Sequence, residues 1–364
     1  MKKIGILVTV ACLFMCLTTM KVNGQQQMTD KTLSDVYFTK DISPEGVMKI
    51  FNYIKKNVKG KVGIKIHFGE DGNQYRLPAN LVEPLCKELN ATLVETNVAY
   101  TGRRGKTATH IQLAKDHGYT FAPIDILDSE GEMNAPVKKG SNFKVAKLGS
   151  HLKDYNTIVY FTHFKGHGSA GIGGSIKNAS MGMASPNGKK EMHGKFFPVV
   201  DNSKCVVCRR CVENCPVGAI TLNPLSIDKT KCIGCAKCVS TCPNGAIRNP
   251  EDKETTRVFL ERLVEYAQAA IDEVPSVYIN IIMNVSPTCD CGNHPKKPFV
   301  GDIGIVASTD IVAADKAAYD LVNKAKNSKD AFLDVEGISG MYQLEYAEKL
   351  GMGNTQYHLI DIDK

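Results

Sequence analysis

Two cysteine runs with the same spacing constrain this 364-residue chain more than any other feature. They read CVVCRRCVENCP at 205–216 and CIGCAKCVSTCP at 232–243, and they hold most of the 13 cysteines. Each run follows the C-x-x-C-x-x-C-x-x-x-C-P pattern of bacterial iron–sulfur proteins. The residues after each proline also correspond, VGAI in one run and NGAI in the other. The segment is therefore an internal duplication.

The spacing of these cysteines predicts two [4Fe-4S] clusters. In two-cluster ferredoxins the fourth cysteine of each run ligates the cluster of the other run. The predicted ligand sets are therefore Cys205, Cys208, Cys211 and Cys242 for the first cluster, and Cys215, Cys232, Cys235 and Cys238 for the second. A zinc or disulfide framework is the alternative, but zinc sites usually take four ligands as two pairs. Residues 196–250 are thus predicted to form a two-cluster ferredoxin unit that exchanges electrons with a redox partner protein.

The N-terminal segment 1–24 has the layout of a secretory signal. Two lysines precede an apolar run at 4–17, and small residues follow at 22–24. The apolar run is shorter than the roughly 20 residues that span a bilayer. Cleavage is therefore predicted, with no stable membrane span afterwards and a periplasmic location; a retained anchor, or a lipoprotein formed at Cys16, is the alternative. An anaerobic bacterium would reconcile export with thiol ligands, since oxidising compartments favour disulfides.

The rest of the chain alternates predicted strands and helices over 30–195 and 251–364. This alternation indicates an α/β body with a mostly parallel sheet, into which the ferredoxin unit is inserted. The predicted strands lie at 36–38, 61–68, 92–96, 124–127, 143–148, 157–161, 277–283 and 303–307. The predicted helices lie at 44–58, 78–89, 106–117, 251–271, 311–326 and 340–350. The formal net charge of +7 is spread out, without a basic stripe interleaved with aromatic residues, so nucleic-acid binding is not expected.

A glycine-rich loop at 162–178 is the first candidate site outside the cysteine runs. It follows the predicted 157–161 strand, and ligands of open α/β sheets bind beyond the carboxyl ends of strands. His163, His167 and Lys177 lie in this loop, and His193 follows it. Histidine titrates near neutrality and ligates metals, and lysine can act as a nucleophile or a charge partner. We expect a catalytic or anion-binding site here; a flexible loop with solvated histidines is the alternative.

The glycines of this loop also match a dinucleotide fingerprint, G-x-G-x-x-G, at Gly166, Gly168 and Gly171. That fingerprint requires a helix directly after it. Gly173 and Gly174 are poor helix formers, so no such helix is predicted. The loop is instead expected to bring its backbone close to an anionic ligand.

Two further motifs remain open. Cys289 and Cys291 flank an aspartate after the predicted 277–283 strand, where they could ligate a metal, form a redox pair or approach a cluster. Ordinary loop thiols are the alternative. The basic turn YTGRRGKT at 100–107 has too few residues between its glycines for a P-loop, so ATP binding is not supported. Such a turn either holds an anion at a helix N-terminus or is a solvated loop.

With these residues in view, the body resembles the family called domain of unknown function 362, in its ferredoxin-containing form. The likeness rests on residues 61–73, 100–110, 163–178, 289–291 and 302–321. It implies an iron–sulfur-binding protein from a family without an agreed reaction.

A more distant likeness concerns His167, Lys177 and His193, whose order and spacing are similar to those of the nickel-pincer lactate racemase family. In that family the lysine holds the cofactor, one histidine binds nickel and another moves protons. The likeness implies that the loop binds a small organic cofactor, with an additional metal, or an acid substrate.

Three functions are consistent with the sequence. The first is an oxidoreductase whose clusters pass electrons to a site built from the loop residues and the Cys289/Cys291 motif. The second is an electron carrier or binding module without catalysis, and the third is a racemase-like enzyme with structural clusters. Because a separate group of residues suited to a small-molecule substrate lies outside the cluster ligands, the first is favoured.

Overall fold

The computed structural model describes residues 33–194, 197–234, 237–249, 253–292 and 295–364. The predicted secretory signal at 1–24 and the cluster ligand Cys235 lie outside these ranges. Export and a periplasmic location therefore stay predictions. No helix formed by the described residues combines the length and the apolar character needed to cross a membrane.

The described residues form short strands and helices that alternate along most of the chain. The strands are β1 (Ser34–Thr39), β2 (Val62–Lys65), β3 (Thr92–Glu95), β4 (Ile124–Ile126), β5 (Glu132–Pro136), β6 (Val145–Gly149), β7 (Thr157–His163), β8 (Lys165–His167), β9 (Gly171–Gly173), β10 (Val199–Val200), β11 (Ile220–Thr221), β12 (Ser226–Ile227), β13 (Ile247–Arg248), β14 (Ser276–Ile282), β15 (Gly304–Ser308) and β16 (Tyr357–Asp361). The α-helices are α1 (Pro44–Ile54), α2 (Glu83–Leu89), α3 (Thr107–Asp116), α4 (Ser175–Ser180), α5 (Pro186–His193), α6 (Arg210–Glu213), α7 (Lys237–Thr241), α8 (Lys253–Glu273), α9 (Ile311–Lys326), α10 (Ala331–Glu336) and α11 (Met341–Lys349).

Eight strands form one large sheet in the order β16-β1-β15-β14-β7-β2-β3-β4. Among the strands that the described residues form in this sheet, only β15 runs against its neighbours, pairing antiparallel with β1 and β14, while the other adjacent pairs are parallel. Every residue of β2 and β7 is buried, as expected for parallel strands that are covered on both faces. The predicted α/β fold with a mostly parallel sheet is confirmed.

Hydrophobic side chains pack helices onto both faces of the sheet. Successive residues of β7 point to opposite faces, so Ile158 and Tyr160 join the core beneath α4, α8 and α9. Val159 and Phe161 join the other core, beneath α1 and α2. The sheet is therefore the middle layer of three, and the ends of its strands remain available for a site.

The segment 197–249 lies outside the large sheet, between α5 and α8, and has a small core of its own. Its two halves repeat each other at an interval of 27 residues, since β11 begins at 220 and β13 at 247. Val207 and Gly234, separated by the same interval, both adopt positive φ, 55° and 70°. A β-branched residue rarely adopts this conformation. The two cysteine runs therefore share this backbone conformation at Val207 and Gly234, even though the valine side chain opposes it.

Candidate functional site

A central pocket with about 130 Å³ of space for water-sized molecules lies where four neighbouring strands end. Its walls come from residues that end or follow β14, β7, β2 and β3, which are adjacent in the sheet. The chain runs outward from β2 to β3 and β4, and then resumes at β7 on the other side of β2. Open α/β sheets bind ligands at such a point of reversed strand order. The topology therefore marks this pocket as the candidate ligand site.

The structure brings together all the candidate site residues predicted outside the cysteine runs. The central pocket is lined by His163, His167, Lys177, His193, Cys289 and Cys291. They come from three separate stretches of chain that meet at the edge of the sheet. The catalytic roles of these residues stay predictions. Because the residues line one pocket, they could act on the same substrate.

A β-hairpin formed by β8 and β9 carries His167 to the pocket. The backbone N–H of Gly166 donates to the carbonyl of Ser286 at 2.8 Å. A Cβ atom at Gly166 would lie 2.3 Å from the carbonyl oxygen of Pro287, so only glycine allows this contact. The hairpin is thereby held against the segment that leads into Cys289.

A helix does follow the glycine-rich loop, and the prediction of none was wrong. Helix α4 begins directly after Gly174, and its first amides, those of Ser175 and Ile176, donate to the buried carboxylate of Asp315 at 2.6 and 2.9 Å. This cap compensates for the weak helix propensity of the preceding glycines. Burial raises the pKa of Asp315 to about 6. Since a side chain of the protein occupies the helix N-terminus, the structure gives no support to dinucleotide binding here.

His163 holds the cysteine loop in place. Its Nδ1 lies 2.8 Å from a carboxylate oxygen of Asp290, and its Nε2 lies 2.7 Å from the carbonyl of Met283. Lys165 Nζ adds a contact of 3.1 Å to the same carboxylate. Burial alone would raise the pKa of Asp290, but His163 and Lys165 outweigh it and hold that pKa far below its usual range. Both ring nitrogens of His163 are thus occupied by positioning contacts.

His167 and His193 remain able to face a ligand. The Nδ1 of His167 accepts from the amides of Ser169 and Ala170, both at 3.1 Å, which places the ring hydrogen on Nε2. His193 stacks on Phe259 with ring centroids 5.2 Å apart. Its buried Nδ1 has no hydrogen-bond partner among the residues that the structure describes. Burial lowers the pKa of each histidine to about 3, so both are neutral at pH 7.

The two loop cysteines lie against each other beside a lysine. Their Sγ atoms are 2.9 Å apart, and Lys177 Nζ lies 3.5 Å from Cys289 Sγ. A hydrogen bond from Cys291 and the charge of Lys177 hold the pKa of Cys289 well below its usual value, although burial opposes them. The pKa of Cys291 is raised by its bond to Cys289. These neighbours therefore favour the thiolate at Cys289 over the thiolate at Cys291.

Buried ion pairs support the pocket from behind. The Glu95 carboxylate lies 3.0 Å from Lys65 Nζ and 3.0 Å from the Arg104 guanidinium, and His110 approaches it at 3.4 Å. Arg104 also pairs with Glu70 at 3.2 Å. Arg104 of the predicted basic turn is buried and already bound to carboxylates. At this residue the turn is therefore neither a site for an external anion nor exposed to solvent.

Two smaller cavities lie among the cysteine runs, each with about 20 Å³ of space for water-sized molecules. The cysteines lining the first cysteine cavity are Cys205, Cys208, Cys211 and Cys242. Those lining the second cysteine cavity are Cys215, Cys232 and Cys238. None of the cysteines within the described ranges forms a disulfide. No group of three or more His, Cys, Asp or Glu side chains in those ranges is arranged to hold a single metal ion.

The second cysteine cavity borders the central pocket. Ile233 lines both spaces. Lys237, from the wall of the cavity, places its Nζ 3.7 Å from the ring centroid of Tyr100, which lines the pocket. One layer of side chains therefore separates the two. The first cysteine cavity has no described lining residue in common with the pocket.

Comparison with known proteins identifies the family. The sequence matches the family described as Domain of unknown function (DUF362) over residues 62–320, which is more than half of the chain. The protein belongs to the DUF362 family. This confirms the family predicted from the sequence; the match carries no information on iron–sulfur clusters. No curated protein matches the sequence.

Solved structures similar to this DUF362 protein include two from thermophiles. One is the lactate racemase apoprotein from Thermoanaerobacterium thermosaccharolyticum, with 13% identity and a TM-score of 0.41, covering 79% of this chain and 57% of the other. The second is a structural-genomics protein from Thermotoga maritima, with 10% identity and a TM-score of 0.39, covering 79% of this chain and 59% of the other. The chain thus spans less than three fifths of either protein.

Sequence reasoning on this DUF362 protein missed several residues of the pocket. His67 and Glu95 line it, one just beyond β2 and the other at the end of β3. Both lie in segments that were predicted to be strands, at 61–68 and 92–96. A polar residue at the carboxyl end of a predicted parallel strand was the signal that would have found them.

The buried His110 predicts acid sensitivity. Burial lowers its pKa to about 3, whereas an unfolded histidine titrates near 6.5. Between these values the unfolded chain binds the extra proton, so the contribution of this group to stability is present above about pH 6.5 and lost as the pH falls. When the pH is lowered from 7 to 5, the wild type should lose about 2 kcal/mol more of its free energy of unfolding than His110→Gln does. Urea denaturation at both pH values checks this, and a pH-independent difference would contradict it.

Proposed function

We propose that this protein binds two [4Fe-4S] clusters and passes electrons to the central pocket, as part of an oxidoreductase acting on a small anionic substrate. The observation that carries the proposal is the shared wall between the second cysteine cavity and the pocket, formed by Ile233 and by Lys237 on Tyr100. A protein that only binds a partner would not need a cluster site next to a substrate-sized pocket.

The cysteine cavities fit such clusters. The first is lined by its complete predicted ligand set, and the second by the three predicted ligands that the structure describes. Cluster ligands surround a cubane rather than converge on one ion, which agrees with separate thiols around a cavity. A bound cluster supplies single electrons at a potential set by its surroundings.

The charges in the pocket favour an anionic substrate. Lys165, Lys177 and Lys190 line it, whereas Glu95, the described carboxylate in its wall, is already paired with Lys65 and Arg104. The neutral His167 presents an N–H beside these cations. A small carboxylate or similar anion would be held by the lysines and could exchange a proton with the histidine.

The exposed surface beside the first cysteine cavity supports electron exchange with a redox partner protein. Val206 and Val207 beside it are 61% and 45% exposed, and Cys208 is also exposed. Exposed apolar residues at a redox centre favour transient docking of another protein. Electrons would therefore enter at this end and leave at the pocket.

Metal and sulfide analysis tests the proposal. Protein prepared anaerobically should contain about eight iron and eight sulfide per chain. Cys205→Ser and Cys232→Ser should each lower both contents by about half, because each removes a ligand of a different cluster. Cys86→Ser is the matched control, since Cys86 is a buried thiol remote from both cavities, and it should retain full content. Zinc without acid-labile sulfide would contradict the proposal.

A racemase-like reaction is the second candidate function. His167, Lys177 and His193 line one pocket, and the unpartnered Nδ1 of His193 leaves room for a ligand. This reading predicts nickel or an organic adduct on Lys177, visible by metal analysis and by the mass of the intact protein, and absent in Lys177→Ala. An unmodified Lys177, together with no metal besides iron, would contradict a racemase-like reaction.

A further inference from the structure

The Cys289–Cys291 loop is built so that both thiols face the same space. The loop turns at Asp290 and Cys291, where the Gly292 amide donates to the carbonyl of Cys289 at 3.2 Å. Asp290 is buried and bound by His163 at 2.8 Å and Lys165 at 3.1 Å, which anchors the turn between the two cysteines. Both sulfurs consequently line the central pocket, 2.9 Å apart. A disulfide needs a separation of about 2.05 Å, so a small movement joins them.

Each sulfur also has a polar neighbour that can donate a hydrogen bond to it. Lys177 Nζ lies 3.5 Å from Cys289 Sγ and stabilises a thiolate. His67 Nδ1 accepts from the amide of Gly69 at 3.0 Å, so its hydrogen is on Nε2, which lies 3.8 Å from Cys291 Sγ. Cys289 Sγ is closer to its donor and also accepts from the backbone amide of Cys291 at 3.4 Å, so the thiolate is better stabilised at Cys289 than at Cys291.

We propose that Cys289 and Cys291 form a dithiol–disulfide couple that stores two electrons beside the substrate. On oxidation, the Cys289 thiolate and the Cys291 thiol form one S–S bond and release two electrons and one proton. On reduction, two electrons break that bond, and one proton from water that enters the pocket returns to Cys291. This inference rests on the proposed function, because the one-electron donors are the two iron–sulfur clusters. The couple would convert their single electrons into a two-electron reaction.

A reductive titration of the full-length anaerobic protein tests the couple. Dithionite is added to the oxidised protein while the paramagnetic signal of the reduced clusters is recorded. We expect the first two electrons per chain to enter without that signal, because they reduce the disulfide. In Cys289→Ser the signal should rise from the first electron. Cys86→Ser, which removes a buried thiol outside the pocket, should behave like wild type.

Differential alkylation gives a second readout on the same samples. Iodoacetamide and peptide mass spectrometry should leave Cys289 and Cys291 unlabelled before reduction and label both afterwards. A cluster signal that rises at once in wild type, with both cysteines already labelled before reduction, would overturn the couple while supporting the clusters. Absence of any cluster signal would instead refute the proposed function, and the alkylation pattern would still decide whether the disulfide forms.

Discussion

Glu95→Gln should lower the free energy of unfolding by about 3–5 kcal/mol. The Glu95 side chain is 2% exposed and lies against Lys65 and Arg104, which are equally buried. Removing one partner of a buried ion pair leaves the others as uncompensated charges in a medium that solvates them poorly. A loss of this size is a large part of the 5–15 kcal/mol that typically stabilises a folded protein. Urea denaturation at pH 7 measures it.

The control for this substitution is Glu88→Gln. Glu88 forms an ion pair with Lys55 at 2.6 Å, but both side chains are about half exposed. Exposed pairs of this kind contribute no more than about 1 kcal/mol. Equal losses in the two variants would show that the buried network does not support the pocket.

Lys177→Met should shift the midpoint of the pH–rate profile for alkylation of Cys289 upward by about 1–3 pH units. Lys177 Nζ is 3.5 Å from Cys289 Sγ, and its charge helps to hold the pKa of that thiol below the usual value. Without the lysine, the thiolate keeps only its bond to Cys291 and the more distant Lys165. The profile is measured with iodoacetamide on reduced protein, and peptide mass spectrometry assigns the reacting thiol.

Lys177→Arg is the matched control, because it keeps the positive charge and should leave the midpoint within about one pH unit of wild type. If both variants shifted the midpoint equally, the effect would come from packing rather than charge. An unchanged midpoint in Lys177→Met would mean that the lysine does not stabilise the thiolate.

The central strands were predictable because strands that are buried on both faces have runs of apolar residues in their sequences. β7 contains the apolar run 158–161 and is buried along its whole length. α1 begins after Ser43, whose side chain accepts from the Gly46 amide at 3.0 Å. β16 was missed, since it is an edge strand whose residues are largely half-exposed. Helix α4 was missed because its cap, Asp315, is supplied by α9, far along the chain.

The sequence predicted which loops form the site. It did not predict the role of each residue in those loops. Polar residues after predicted strands located His163, His167 and Cys289, which tertiary structure then brought together. That His163 is occupied by Asp290, while His193 keeps a free nitrogen among the described residues, depends on contacts across the fold. Such contacts join residues that are far apart in the chain, so the local sequence does not predict them.

The cysteine spacing predicted which thiols share a cavity, because ligand assignment follows from the repeat itself. It did not predict which cavity faces the pocket. That depends on the packing of Ile233 and Lys237 against the α/β body, where Lys237 meets Tyr100 from a distant loop.

The most direct test of the account is the magnetic relaxation of a nitroxide attached to Cys289 in a Cys291→Ser background. If a cluster in the second cysteine cavity borders the pocket, reducing the clusters should accelerate relaxation of the label. The acceleration should persist in Cys205→Ser, which disrupts the first cavity, and be lost in Cys232→Ser, which disrupts the second. No acceleration on reduction, or an acceleration that survives Cys232→Ser, would contradict the account.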